Sequence, residues 1–162
     1  MRNRFGELVD IVKNDWIREV TEASRSCTVI VHLYEDSLVE CQLVDEAMRA
    51  LAPRFKYLKF LRIKSTHAIE NWPEKNLPAI FIYADGVMKM QIVTLIHLYG
   101  KSMKAADLEW YLVEKGVITD SELDDNPRLS NPNNSFLKVS SSVFRNVSSN
   151  RDSDDDDNYE DD

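Results

Sequence analysis

A chain of 162 residues with 43% hydrophobic content and a formal charge of −8 has enough apolar material for one sizeable core and an appendage. The acidic balance excludes nucleic acid as an expected partner, because phosphate binding needs a basic face that displaces counterions. Two cysteines do not make a disulfide scaffold, no apolar run approaches the ~20 residues of a membrane span, and MRNRFGELVD holds no apolar signal core, so a cytoplasmic protein is expected.

In chain order, Leu8, Val9, Ile11 and Val12 suggest a short strand within Phe5 to Val12. Asn14 or Asp15 is then placed to cap a helix through Trp16, Ile17, Val20 and Ala23. Cys27 stands at the entrance to Thr28–Tyr34, an unbroken apolar and β-branched run of the kind that fills a central strand covered on both faces. After the polar turn Glu35 to Glu40, Cys41 opens the apolar-periodic segment CQLVDEAMRALA, which Pro53 helps to end. A cysteine there feels the positive end of the helix dipole, which favours thiolate. A dithiol site would need a second cysteine three residues earlier, and that position is Leu38.

Tyr57 to Ile63 has high β-propensity with imperfect alternation. Ser65 to Asn76 reads as a polar connection carrying His67, Trp72 and Pro73. His32, His67 and His97 are scattered and suggest no metal grouping. NLPAIFIY and VMKMQIV around Asp85-Gly86 form the strongest short-range hairpin signal, with Pro78 at the edge where a missing N–H is tolerable. Met88 and Met90, two apart on one strand, are expected to share a face. An amphipathic helix across Lys104 to Lys115 closes with Gly116 at its C′ position.

Beyond it the chain changes character. Residues 1–118 hold the folded domain, 119–147 read as a partly ordered extension with scattered apolar anchors, and 148–162 cannot bury enough apolar surface to offset ordering entropy. That last stretch has eight acidic residues against Arg151, a balance of −7, leaving 20 acids against 19 bases before it. Ser153, followed by four aspartates, is a candidate phosphorylation site for an acidophilic kinase.

The order β-α-β-α-β, then hairpin and helix, with a helix-opening cysteine and a proline before the hairpin, resembles thioredoxin. The resemblance implies a five-stranded mixed sheet flanked by helices, an α/β fold. It sets Ser37, Leu38, Val39, Glu40 and Cys41 on the redox motif, Pro78 on the cis-proline and His32 on the buried acid. Leu38, Cys41 and Pro78 would then be the remains of a redox site, with no catalytic residue, cofactor or metal expected.

More specifically, RFGEL (4–8), VIVHLY (29–34), NLPAIFIY (76–83), DLEWYL (107–112) and the Asp-rich tail are similar to the phosducin-like proteins, above all the subgroup of phosducin-like proteins two and three, also called viral IAP-associated factors. That resemblance implies a non-enzymatic cochaperone that binds the cytosolic chaperonin and modulates folding of actin- or tubulin-type clients. Family members usually carry a helical region before RFGE that contributes much of their binding to chaperonin and to G-protein βγ subunits. This sequence starts three residues before that motif, so either the region has been cut off or the chain is a short paralogue. Two other expectations stand beside the cochaperone: a monothiol redox protein using Cys41, and a modulator of G-protein βγ signalling.

Overall fold

β-branched and aromatic residues from Thr28 to Tyr34 form the central strand β2, buried at every position but the first. In the computed structural model, which describes residues 3–130, the chain divides into two compact units, 1–121 and 122–162. In the first, β2 pairs in parallel with β3 (Leu58–Lys64) and antiparallel with β4 (Ala79–Ala84). The short strand β1 (Leu8–Asp10) lies outside β3, and β5 (Val87–Val93) lies outside β4, giving the order β1-β3-β2-β4-β5. The Leu77–Pro78 peptide is cis. The mixed five-stranded sheet is therefore as the sequence suggested.

Alternation along β2 divides the interior into two cores. Ile30 faces α1 (Val39–Leu51) and α3 (Ala105–Glu114), packing with Val44, Met48, Phe60, Leu108 and Leu112. Val29, Val31 and Leu33 face the other way, with Ile11, Val20, Leu61, Ile63 and Phe81. A short helix α2 (Ser65–Ala68) occupies part of the connection from β3 to β4, which the sequence suggested only as polar.

Three local expectations need correction. The helix through Trp16 is a 3-10 turn (Lys13–Asp15), a π-helical stretch (Ile17–Glu22) and a second 3-10 turn (Ala23–Arg25). Its cap position is Val12, because β1 hands the chain on through Ile11 N–H to the Arg62 carbonyl and the turn starts early. Asp15 acts from inside that turn, accepting the Val12 N–H at 3.1 Å. Along this segment Val20 is buried while Ile17 is 65% exposed.

The third correction concerns the hairpin. Asp85 and Gly86 both take positive φ (57° and 83°), the pair of left-handed residues a tight hairpin turn requires. A bulge follows, so that Tyr83 pairs with Met88 but Ile82 with Met90. One extra residue, Lys89, flips the alternation. Met88 and Met90 therefore lie on opposite faces: Met90 packs beside the Ile82 core, and Met88 is exposed.

Residues 119–121 belong to the first unit. The Tyr57 hydroxyl donates to Asp120 at 2.7 Å, and Ser121 donates to Glu109, whose carboxylate also receives both arms of Arg54. In the second unit the described chain holds the short helix α4 (Pro127–Ser130), where the Asn126 side chain accepts the Arg128 N–H at 2.9 Å. Ser153 and the acidic stretch 148–162 lie outside the described residues, as does 131–147.

Candidate functional site

Where β2 ends and α1 begins, the chain has little freedom. Leu38 is extended (φ −93°, ψ 125°) as the N-cap of α1, and its carbonyl accepts the N–H groups of Cys41 and Gln42. Across from it, the cis proline enters β4. Trp72 braces this crossing, its indole N–H donating to the Asn76 carbonyl at 3.2 Å and its ring standing edge-on to Phe81. The Pro78 carbonyl accepts the Thr94 N–H at 2.8 Å, tying the end of β5 to the start of β4.

Leu38 and Pro78 thus line one open groove of about 360 Å³, together with Leu77, Thr94, Leu95 and Ile96, and with Glu40, Glu74 and Lys75. Ile96 is 76% exposed, and two non-glycine residues in left-handed backbone, Thr94 (φ 63°) and Tyr99 (φ 69°), bracket its segment. Such backbone costs of order 1 kcal/mol or more per residue and persists where packing imposes it. Here Leu95 and Leu98, both buried, anchor the segment while Ile96 is turned outward.

Cys41 does not line the groove. It is 1% exposed, packed into the core of β2 with Tyr34, Leu77 and Ala79. The expected dipole effect is overruled: burial pushes the thiol up to about 11, a contact with the Glu35 backbone opposes this, and Asp45, Glu40 and Glu35 add to the rise. Cys27, half-buried, is also raised by burial, with Arg4 and Lys59 pulling the other way. Both thiols are free. With a protonated sulfur behind the wall and the half-buried Leu38 in the lining, the groove offers no nucleophile for disulfide exchange.

We expect iodoacetamide at mildly alkaline pH to label Cys27 well before Cys41, with Cys41 labelled only as the protein unfolds. Peptide mass spectrometry of a time course reads this directly, and comparable rates would mean that Cys41 is accessible as thiolate. The raised thiol also fixes a sign. Cys41 favours the fold below its ordinary value near 9, and that contribution is lost as pH rises through about 11.

Beside Cys41 lies a polar network that the sequence did not disclose. His32 is fully buried, and its Nδ1 is 2.8 Å from Oδ1 of Asp45, one turn along α1 from Cys41. Arg62, paired with His32 across β2 and β3, reaches Asp45 through Nε (3.2 Å) and NH2 (3.1 Å), and Asp10 on β1 through NH1 (2.8 Å). Its guanidinium also lies 3.7 Å from the Tyr34 ring centre. Burial alone would raise the Asp45 carboxyl, but the His32 N–H and Arg62 outweigh it and hold it below the usual range. Burial holds His32 low, so it is neutral with its proton on Nδ1, and its Nε2 has no hydrogen-bond partner among the described residues.

The carboxylate missing from the central strand therefore reappears on the neighbouring helix, but it is neutralised by arginine and cannot draw a proton from Cys41. One sequence signal could have found it: Leu58, Phe60 and Arg62 share a face of β3, and a charge ending an apolar stripe needs a partner. His67 and His97 are exposed and take no part.

Comparison with solved structures defines the class first. A chain from the complex of ferredoxin:thioredoxin reductase with thioredoxin f2 matches 69% of this chain at TM-score 0.52 and 10% identity, covering 96% of its own length. The short form of spinach chloroplast thioredoxin f matches 72% at TM-score 0.52 and 11% identity, again over 96% of its length. At such identities the likeness establishes the thioredoxin fold and nothing of its chemistry. The Phosducin family pattern matches residues 2–148, and the chain belongs to that family. Among its relatives, phosducin-like protein 3 of Danio rerio is 38% identical over 79% of this chain, and phosducin-like protein 2 of Dictyostelium discoideum 40% identical over 79%. The chain spans about half the length of each, 53%. Among the described residues no helix is long and apolar enough to cross a membrane.

Proposed function

We propose that this chain is a cytoplasmic, non-enzymatic cochaperone that binds the cytosolic chaperonin and modulates folding of actin- or tubulin-type clients. What carries the reading is a thioredoxin fold in the Phosducin family whose groove keeps Pro78 and an exposed Ile96 but has leucine where a nucleophile would stand. A binding surface without chemistry is what a protein-interaction module requires. The Leu77 N–H is already used by the Glu74 carbonyl. That N–H is therefore not open to a partner's backbone.

The monothiol alternative is disfavoured by the burial of Cys41 and its raised thiol. To test the cochaperone reading, denatured actin is refolded on purified chaperonin with and without residues 1–162. A change in the rate or yield of native actin, unaltered by Cys41→Ser, is the expected outcome. An identical time course with and without the chain would contradict it.

A further inference from the structure

At the end of the sheet away from Pro78, Arg4, Arg25 and Lys56 are exposed, and none of them has a carboxylate partner among the described residues. Arg4 donates to Ser26 (3.3 Å to Oγ) and covers the Phe5 ring at 4.9 Å. The Lys56 carbonyl accepts the N–H groups of Arg4 and Phe5, and Arg25 lies against the Gly86 turn. Two open clefts of about 640 Å³ each meet at Arg4. One contains Arg25 with the hydroxyls of Ser24, Ser26 and Thr28; the other contains Lys56 and Lys59 beside Phe5.

The acids nearby are mostly engaged. Asp85 is drawn to Lys89 at 3.6 Å, Glu19 is held by Lys59 and Arg18, and Asp120 accepts the Tyr57 hydroxyl, leaving Glu7 in the second cleft. What sets Arg4, Arg25 and Lys56 apart is their arrangement around two clefts that share Arg4 as a wall.

We propose that the strip Arg25–Arg4–Lys56 is a docking surface for an extended acidic segment of a partner protein. Two clefts sharing one wall suit a chain better than a compact ion. The cations supply charge-assisted hydrogen bonds to carboxylates, whereas the Ser24 and Ser26 hydroxyls already donate to the Thr21 and Ala23 carbonyls. The surface lies at the opposite end of β2 from the Pro78 groove and stands whether or not that groove binds a chaperonin.

The test is fluorescence anisotropy of a fluorescein-labelled Asp/Glu-rich peptide with the full chain at low salt. Saturable binding that weakens as salt is added is expected. The triple variant Arg4→Glu/Arg25→Glu/Lys56→Glu should lose at least about tenfold in affinity, and Lys75→Glu at the Pro78 groove less than about twofold. Circular dichroism melting of both variants establishes that they fold. No saturable binding, or equal loss in both variants, would overturn the proposal. So would displacement by millimolar inorganic phosphate, which would mark a simple anion site, or tighter binding of a single-stranded oligonucleotide, which would mark a nucleic-acid surface.

Discussion

Asp45→Ala should lower the stability of the fold by about 3–5 kcal/mol, the range for removing one partner from a buried charge pair. The lower end is expected because Arg62 keeps Asp10. The loss has two sources: Arg62 is left with the largely exposed Asp10 and Asp36, and the His32 Nδ1–H is left in the interior without its acceptor. Asp10→Ala removes a carboxylate that is 60% exposed from the same arginine, and solvent screening should keep its effect below about 1 kcal/mol. Urea unfolding of both variants separates a buried network from a surface pair; equal losses would show that Asp45 is not the centre of it.

The same network sets the response to acid. The folded state holds His32 below its ordinary 6.5, so on acidification the unfolded chain takes up this proton first and stability falls. That loss begins near pH 6.5 and levels off once the folded form is also protonated. Asp45 works in the same direction at lower pH: its contribution is complete above the usual carboxylate value of 3.8 and disappears as pH falls through its depressed folded value. Two successive losses on acidification are therefore expected; His32→Leu should abolish the first and shrink the second, because the His32 N–H helps to hold Asp45 low. A stability that is level from pH 7 to about 5 would mean that His32 is not held neutral.

The second large effect concerns binding. If the groove is the contact surface, Ile96→Asp places a charge where an apolar side chain would be covered, and truncated or charged anchors at interface centres commonly cost about 2 kcal/mol or more. Chaperonin affinity should fall at least about tenfold while the unfolding midpoint scarcely moves, since Ile96 is 76% exposed in the free chain. Ile17→Asp is the matched control, an isoleucine 65% exposed on the π-helical stretch, and it should leave affinity within about twofold. Equal losses from both would place the contact elsewhere.

These contrasts show what the sequence could disclose. Thr28–Tyr34 was legible because a continuous β-branched run has few other homes, and the Asp85-Gly86 hairpin because few turns accept two left-handed residues. The cis proline and the place of Leu38 beside it followed from the resemblance to thioredoxin. The bulge was not legible: nothing in VMKMQIV marks Lys89 as the extra residue, yet it separates Met88 from Met90. Nor was the state of Cys41. Its position near a helix N-terminus argued for thiolate, and only packing shows that burial wins. The His32–Asp45–Arg62 network joins residues from three elements, and each looked ordinary alone.

Titrating purified cytosolic chaperonin with labelled residues 1–162, alongside the Cys41→Ser form, tests the central claim most directly. Saturable binding of both with indistinguishable affinity is the expected result, because the groove at Leu38, Pro78 and Ile96 would act by shape and apolar contact. Absence of binding, or binding that is lost with the thiol, would contradict the account.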